Sequence, residues 1–290
     1  MKNKKNFRVL TIMAMLTAMV FFALSLAGCA DAVASIDDTT TLCRHIWVDG
    51  AVLLEPNCED TGLLEQYCSE CGAVGLPKEL REKHEAHEET GICTLCGDLA
   101  YYIGDTGPGG GTIYFRAPAG FNYYYDTTGT LTSPSATPHT APYRTVHYLE
   151  CAPADMPEPL VWSLRSLASF ENYTIPGMYG EDTAARVSVP GTGRRNTLLI
   201  LATEPDAPAA LACYEYRAGG KDDWYLPSRA ELELLFFYRI YHDNFELTKP
   251  NYWASSIVNN MNSWDYDLSN GDNNGRNRFN AFAVRAIRAF

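Results

Sequence analysis

The pattern of apolar and polar positions changes character twice along this chain. Behind the basic segment Met1–Arg8, an uninterrupted apolar run spans Val9–Leu26, which reads as an export signal rather than as part of a folded core. Between residues 43 and 97 apolar positions are sparse and cysteines recur instead. Beyond residue 99 short apolar stretches return. Tyr143–Cys151, Tyr252–Ser256 and Ser263–Leu268 read as strands, and Phe282–Phe290 alternates like a terminal strand. Residues 101–115 place apolar runs on both sides of a glycine-rich segment, Gly104–Gly111, which predicts a hairpin or a strand entering a second strand. Ala207–Arg217 reads as an alanine-rich helix. A second helix starts after Ser228, because Glu231 three residues on completes a capping box and Leu232, Leu235 and Phe236 supply an apolar face. Two helices among many short strands predict an α+β fold.

The apolar run ends in Leu26-Ala27-Gly28-Cys29, which resembles the lipobox of bacterial lipoproteins. That resemblance implies cleavage before Cys29 and lipidation of its thiol, with palmitate-type acyl chains holding the protein to a membrane. An uncleaved membrane anchor is the alternative, with the run near the lower length limit for spanning. Either reading puts the body of the protein outside the cytoplasm, on a bacterial membrane or cell surface. The expected order is a lipoprotein signal peptide (1–28), a polar tether (29–42), a cysteine-rich module (43–97) and a large domain (99–290).

Composition narrows the class. With 290 residues, 46% hydrophobic and 20% charged, the chain can bury a sizeable core and is not mostly disordered. A formal net charge of −12 excludes a general nucleic-acid binder. The acidity is uneven: residues 30–98 hold 15 acids and 4 bases, whereas residues 99–290 hold 20 and 15. Nine cysteines is an odd count, and setting Cys29 aside leaves eight.

Two of the cysteine pairs share one form, Cys68-Ser-Glu-Cys71-Gly72 and Cys93-Thr-Leu-Cys96-Gly97. Each presents two thiolates from a tight knuckle whose glycine relieves the turn, so two knuckles complete a tetrahedral, zinc-ribbon-like site for a structural zinc. Disulfides remain the alternative outside the cytoplasm. Cys43, His45, Cys58 and His84 or His87 offer a second Cys/His site, or Cys43 pairs with Cys58. His84-Glu85-Ala86-His87 departs from the metalloprotease pattern because its second histidine comes one residue early. Lys78–Glu89 reads as a solvated helix or an extended hairpin. The module resembles short Cys-x2-Cys-Gly repeats of bacterial surface proteins, which implies a spacer.

The large domain resembles the Lcl C-terminal domain family, named after a collagen-like adhesin. The residues that carry the resemblance are Gly-Asp-Thr-Gly-Pro-Gly-Gly-Gly at 104–111, Tyr148-Leu149-Glu150 with Ala152-Pro153, Asp223-Trp224-Tyr225-Leu226-Pro227-Ser228 with Glu231-Leu232, Tyr252-Trp253 with Ser255-Ser256, and Val284-Arg285-Ala286-Ile287-Arg288. Ala254 departs from the pattern, where serine is usual. The resemblance implies a C-type-lectin-like domain that binds a glycan or a surface protein, in adhesion or recognition. Read on their own, the glycines are turn residues and Trp224, Trp253 and Trp264 are packing residues. Of Arg285 and Arg288, one is expected to meet a buried acid such as Glu231 and the other to face solvent. Cys151 and Cys213 form a disulfide or stay as two buried thiols. Asn270, Asp272, Asn273 and Asn274 sit in a long polar stretch whose oxygens suit calcium. No Gly-Lys-Ser/Thr follows the glycine-rich segment, so it is not a phosphate loop, and no nucleophile, base or paired-carboxylate set stands out. These features together point to a non-enzymatic surface lipoprotein. The alternatives are an enzyme akin to formylglycine-generating or sulfatase-modifying proteins, acting through Cys151 and Cys213, and a metal-binding lipoprotein.

Overall fold

The structure is a computed structural model that describes residues 44–128, 142–165, 175–176, 178, 190–242, 245–246 and 249–290. The segments expected as export signal and tether, the expected lipidation residue Cys29 and the metal candidate Cys43 lie outside the described residues. Among the described residues no helix is long and apolar enough to cross a membrane. The chain divides into a small unit, Met1–Asp49 with Gln66–Gly75, and a large unit, Gly50–Glu65 with Leu76–Phe290. The division therefore does not follow the change of composition near residue 98.

Strands β1 (Trp47–Leu54), β2 (Gly62–Cys68) and β3 (Lys78–Leu80) form a sheet in that order, with Gly62 opposite Leu80 across an antiparallel β2–β3 pair. Lys78–Glu89 thus takes the extended one of its two expected forms. Beyond it, Gly91 lies against aromatic rings: a Cβ there would stand 2.5 Å from Tyr148 and 2.9 Å from Phe290. Its carbonyl accepts from Ala100 N–H at 2.9 Å and from the Tyr148 hydroxyl at 3.2 Å. Leu99, Ile113, Tyr148 and Phe290 close a small core there, which is why residues 76–97 belong to the large unit.

Three further antiparallel sheets build that unit. β4 (Thr112–Tyr123), β5 (Arg144–Cys151) and β11 (Ile287–Ala289) pair in the order β11-β5-β4. β7 (Asn251–Ile257), β8 (Asn262–Asp267) and β9 (Asn273–Asn277) form a meander, and β6 (Leu160–Val161) pairs with β10 (Ala281–Phe282). The expected strands at 143–151, 252–256 and 263–268 correspond to β5, β7 and β8. β7 is buried on both faces, against α1, α3 and β10, so it lacks the alternation of a half-exposed strand.

Three helices are described, one more than expected: α1 (Gly193–Thr203), α2 (Pro208–Glu215) and α3 (Arg229–Tyr241). α1 escapes a pattern reading because its buried face includes Arg195 and Thr197. Arg195 Nη1 donates to Asp126 O and Thr128 O at 2.6 and 3.1 Å, and Thr197 Oγ1 accepts from Leu226 N–H at 3.1 Å. α3 begins as predicted. Ser228 Oγ accepts from Glu231 N–H, Ser228 N–H donates to Glu231 Oε2 at 2.6 Å, and Leu232 and Leu235 are buried.

The terminal stretch is not one strand. Trp253 N–H donates to Ala283 O at 3.0 Å, whereas Ala152 N–H and Tyr225 N–H donate to Ala286 O and Ile287 O, each at 2.9 Å. The chain therefore leaves the β7 side and joins β5 within four residues. Side-chain parity breaks at that crossing.

Candidate metal centres and a buried arginine network

Both Cys-x2-Cys-Gly knuckles fold as their spacing predicts. Gly72 and Gly97 take φ values of 70° and 80°, and their N–H groups donate to Cys68 O and Cys93 O at 2.9 and 3.0 Å. Their partners differ from expectation. Cys93 and Cys96 gather with Cys58 and His84, whereas Cys68 and Cys71 gather with His45; within each set the ligand atoms all lie within 4.8 Å of one another. The expected Cys68, Cys71, Cys93, Cys96 site is thereby corrected to one set per knuckle, and the expected Cys43, His45, Cys58, His84 site is divided between the two.

Local pairing explains the exchange. Lys83 N–H donates to Asn57 O at 3.2 Å, which brings Cys58 beside residue 84, and Thr94 N–H donates to Glu85 O at 2.9 Å, which brings His84 to the second knuckle. Ser69 N–H donates to Ile46 O at 2.9 Å and carries His45 to the first. His87 is absent from both sets. Its N–H pairs with Ile92 O at 2.8 Å and its Nδ1 accepts from Glu89 N–H at 3.3 Å.

The donor chemistry suits a soft, four-coordinate ion. In the complete set, Cys58 Sγ lies 3.4 Å from Cys93 Sγ and Cys96 Sγ lies 3.3 Å from His84 Nδ1. Thiolates around one tetrahedral zinc stand about 3.8 Å apart, so a small outward adjustment admits the ion. Burial opposes ionisation of Cys93, yet the N–H groups of Cys96 and Leu95 and the neighbouring His84 and Cys58 outweigh it and pull the thiol down to about 6. Cys58, hydrogen-bonded to Cys93 and partly desolvated, is pushed up to about 12. Metal binding at this set therefore displaces a proton from Cys58. Cys68 behaves like Cys93: burial opposes, but His45 and the N–H groups of Cys71, Glu70 and Ile46 hold it at about 6. Cys71 Sγ lies 3.4 Å from His45 Nδ1.

The other expected sites take different forms. Cys151 on β5 and Cys213 on α2 are buried free thiols in separate hydrophobic clusters. Burial pushes Cys151 up to about 11 and Cys213 higher still. Iodoacetamide treatment of the folded, metal-loaded protein is accordingly expected to leave both thiols unmodified by mass spectrometry, with both alkylated once guanidinium unfolds the chain. The stretch expected as a long calcium loop is a tight β8–β9 turn, with Asn273 and Asn274 inside β9. Asn270 Oδ1 accepts from Asp272 N–H at 2.8 Å, and Asn273 Oδ1 accepts from Arg229 Nε at 2.9 Å.

Four of the five motifs that carry the family resemblance contribute a residue to one buried network. Gly109 and Gly111 donate their N–H groups to Glu150 Oε1 at 2.9 and 2.7 Å. A Cβ at Gly111 would stand 2.1 Å from Cys151 O, so only glycine allows this approach. Across the sheet Glu150 is in register with Arg288, whose Nη1 donates to Glu150 Oε2 at 3.0 Å. Arg288 also binds Asp223 through both ends of its fork, Nε to Oδ1 at 2.7 Å and Nη2 to Oδ2 at 3.1 Å. Arg285 pairs with Asp155, which also accepts from the Tyr252 hydroxyl at 2.7 Å. Both arginines are thus buried, and neither faces solvent nor meets Glu231. Glu231 instead accepts from Gly191 N–H at 2.8 Å and caps α3. Asp155 and Asp223 could not be chosen as partners from sequence, since each is 65 or more positions away from its arginine. Trp224 and Trp253 are fully buried, and Trp264 is half-buried beneath Arg229, whose guanidinium stands 4.6 Å from the ring centre.

No family model matches the chain, and no curated protein matches it. Among solved structures, a fimbrial protein from Bacteroides ovatus ATCC 8483 is similar at 15% identity and a TM-score of 0.39, covering 81% of this chain. The match spans 58% of that protein's own length, and at this score it does not define a shared fold.

Proposed function

We propose that this protein is a non-enzymatic, exported lipoprotein anchored through Cys29, whose C-terminal part is a C-type-lectin-like domain of the Lcl C-terminal kind that binds a glycan or a surface protein. The cysteine-rich segment serves as a spacer held by structural zinc. The observation that carries this reading is the convergence of the family-like motifs, Gly104–Gly111, Glu150, Asp223–Trp224 and Arg288, on a single buried network. Residues spent on such a network specify a scaffold, and recognition then falls to the surface around it. The buried state of Cys151 and Cys213, both pushed above the ordinary thiol range, supports a non-enzymatic reading over a reactive-cysteine enzyme.

The test is an array of glycans and matrix proteins probed with the intact, metal-loaded protein, with and without calcium. Specific retention on at least one ligand class is the expected result. Absence of binding throughout the array, with the protein folded, would remove the reading.

A further inference from the structure

The β4–β5 pair ends in a groove of about 450 Å³ lined by Tyr123, Tyr125, Tyr143, Arg144, Arg194 and Asp223, a volume within the usual range of about 300–1,000 Å³ for small-ligand sites. We propose that this groove binds a saccharide bearing a carboxylate, with Arg194 and Arg144 meeting the charge and Tyr125 and Tyr143 meeting the sugar ring. The proposal names the ligand class of the binding domain and rests on the reading given above.

Local structure assembles the groove. Tyr123 and Arg144 are directly opposite in the β4–β5 register. Arg194 comes from the first turn of α1, which is tied to the end of β4 by Tyr124 N–H donating to Gly191 O at 2.9 Å. At Gly191, φ is 105° and a Cβ would stand 1.9 Å from Asn122 O, so a glycine is required for this approach. Asp223 enters from the buried network already bound to both ends of the Arg288 fork.

The charge and polar inventory selects the ligand. The groove has two guanidinium groups and one carboxylate, Asp223, which shares Arg288 with Glu150 and also feels the charge of Arg194. In a chain of net charge −12, this is a local reversal of sign. Arg194 is half-buried and Arg144 is exposed, and both guanidinium groups border the groove. Tyr125 and Tyr143 line the groove and are 40% and 51% exposed. A neutral apolar ligand would desolvate two cations without compensation, and an inorganic anion would use none of the aromatic surface. A sugar acid uses both: its carboxylate matches a guanidinium fork, and its C–H face packs on tyrosine.

The experiment is calorimetric titration of the full-length, metal-loaded protein with trigalacturonic acid, its methyl ester and maltotriose. Trigalacturonic acid is expected to bind at least tenfold more tightly than either neutral sugar. Arg194→Met is expected to weaken it at least tenfold with an unchanged melting temperature. If Arg194→Met disturbs folding, Arg144→Met at the exposed rim is expected to show the same loss. Equal binding of acid and ester, binding undiminished in a folded arginine variant, or preference for a sulfated sugar or an acidic peptide would overturn the assignment. If trigalacturonic acid fails while another array ligand binds, this proposal falls and the binding reading stands; if nothing binds, both fall.

Discussion

Replacing Arg288 with methionine is expected to cost about 3–5 kcal/mol of stability, because it strands buried carboxylates instead of deleting a surface contact. Arg288 is 3% exposed and Glu150 is 0% exposed. Without the guanidinium, Glu150 keeps the two N–H groups of Gly109 and Gly111 but loses its countercharge. Asp223 loses both of its bonds to the arginine fork. For a unit of this size the loss amounts to roughly 6–20 °C in melting temperature. Glu215→Gln, at an exposed position, is expected to stay within about 0.5 kcal/mol. Thermal melts of the two variants decide the matter, and equal melts would show that the network contributes little.

The same variant should change the acid limb of the stability curve. Burial raises Asp223, but the Arg288 hydrogen bond and charge outweigh it and hold the carboxyl below the usual aspartate range. A depressed folded value means that the native state releases this proton more readily than the unfolded chain. The stabilisation is therefore complete above the ordinary value of about 4 and is lost as pH falls through the lower folded value. In Arg288→Met this part of the acid dependence should flatten.

Removing metal is expected to unfold the segment that carries the second knuckle and to lower the melting temperature of the large unit with it. Residues 76–97 contain a three-residue strand and few buried apolar side chains, so an ion held by Cys58, His84, Cys93 and Cys96 would supply most of what holds them. The effect should extend beyond the knuckle. Gly91 and Ile92, immediately before Cys93, pack on Tyr148 and Phe290, and Lys221 reaches Glu88 at 2.6 Å. Elemental analysis should find zinc in the purified protein, reduced by one equivalent in Cys93→Ser. A chelator should lower the melting temperature in wild type and have a smaller effect in that variant. A protein without zinc, insensitive to chelator and destabilised by reductant, would show disulfide chemistry instead.

Some of this was legible in the sequence because it depends on neighbours within a few residues. The α3 start is a four-residue hydrogen-bond pattern, each knuckle with its glycine is a five-residue one, β5 and β7 carry short apolar and aromatic stretches, and β8 alternates Trp264 and Tyr266 with polar residues. Elements defined by distant partners were not legible. α1 buries Arg195 and Thr197 because loop carbonyls at 126 and 128 and the backbone of Leu226 come to meet them. The terminal segment reads as one alternating strand, yet it changes neighbours between Ala283 and Ile287.

The sequence alone determined the ligand types, the knuckle geometry, the glycine positions and the α+β class, since backbone stereochemistry and side-chain chemistry travel with the residue. Tertiary structure decided which ligands share an ion, which acids receive Arg285 and Arg288, and where two tyrosines and two arginines form a groove. These are pairings between distant segments, and many registers satisfy the same local pattern until strand pairing and burial select one.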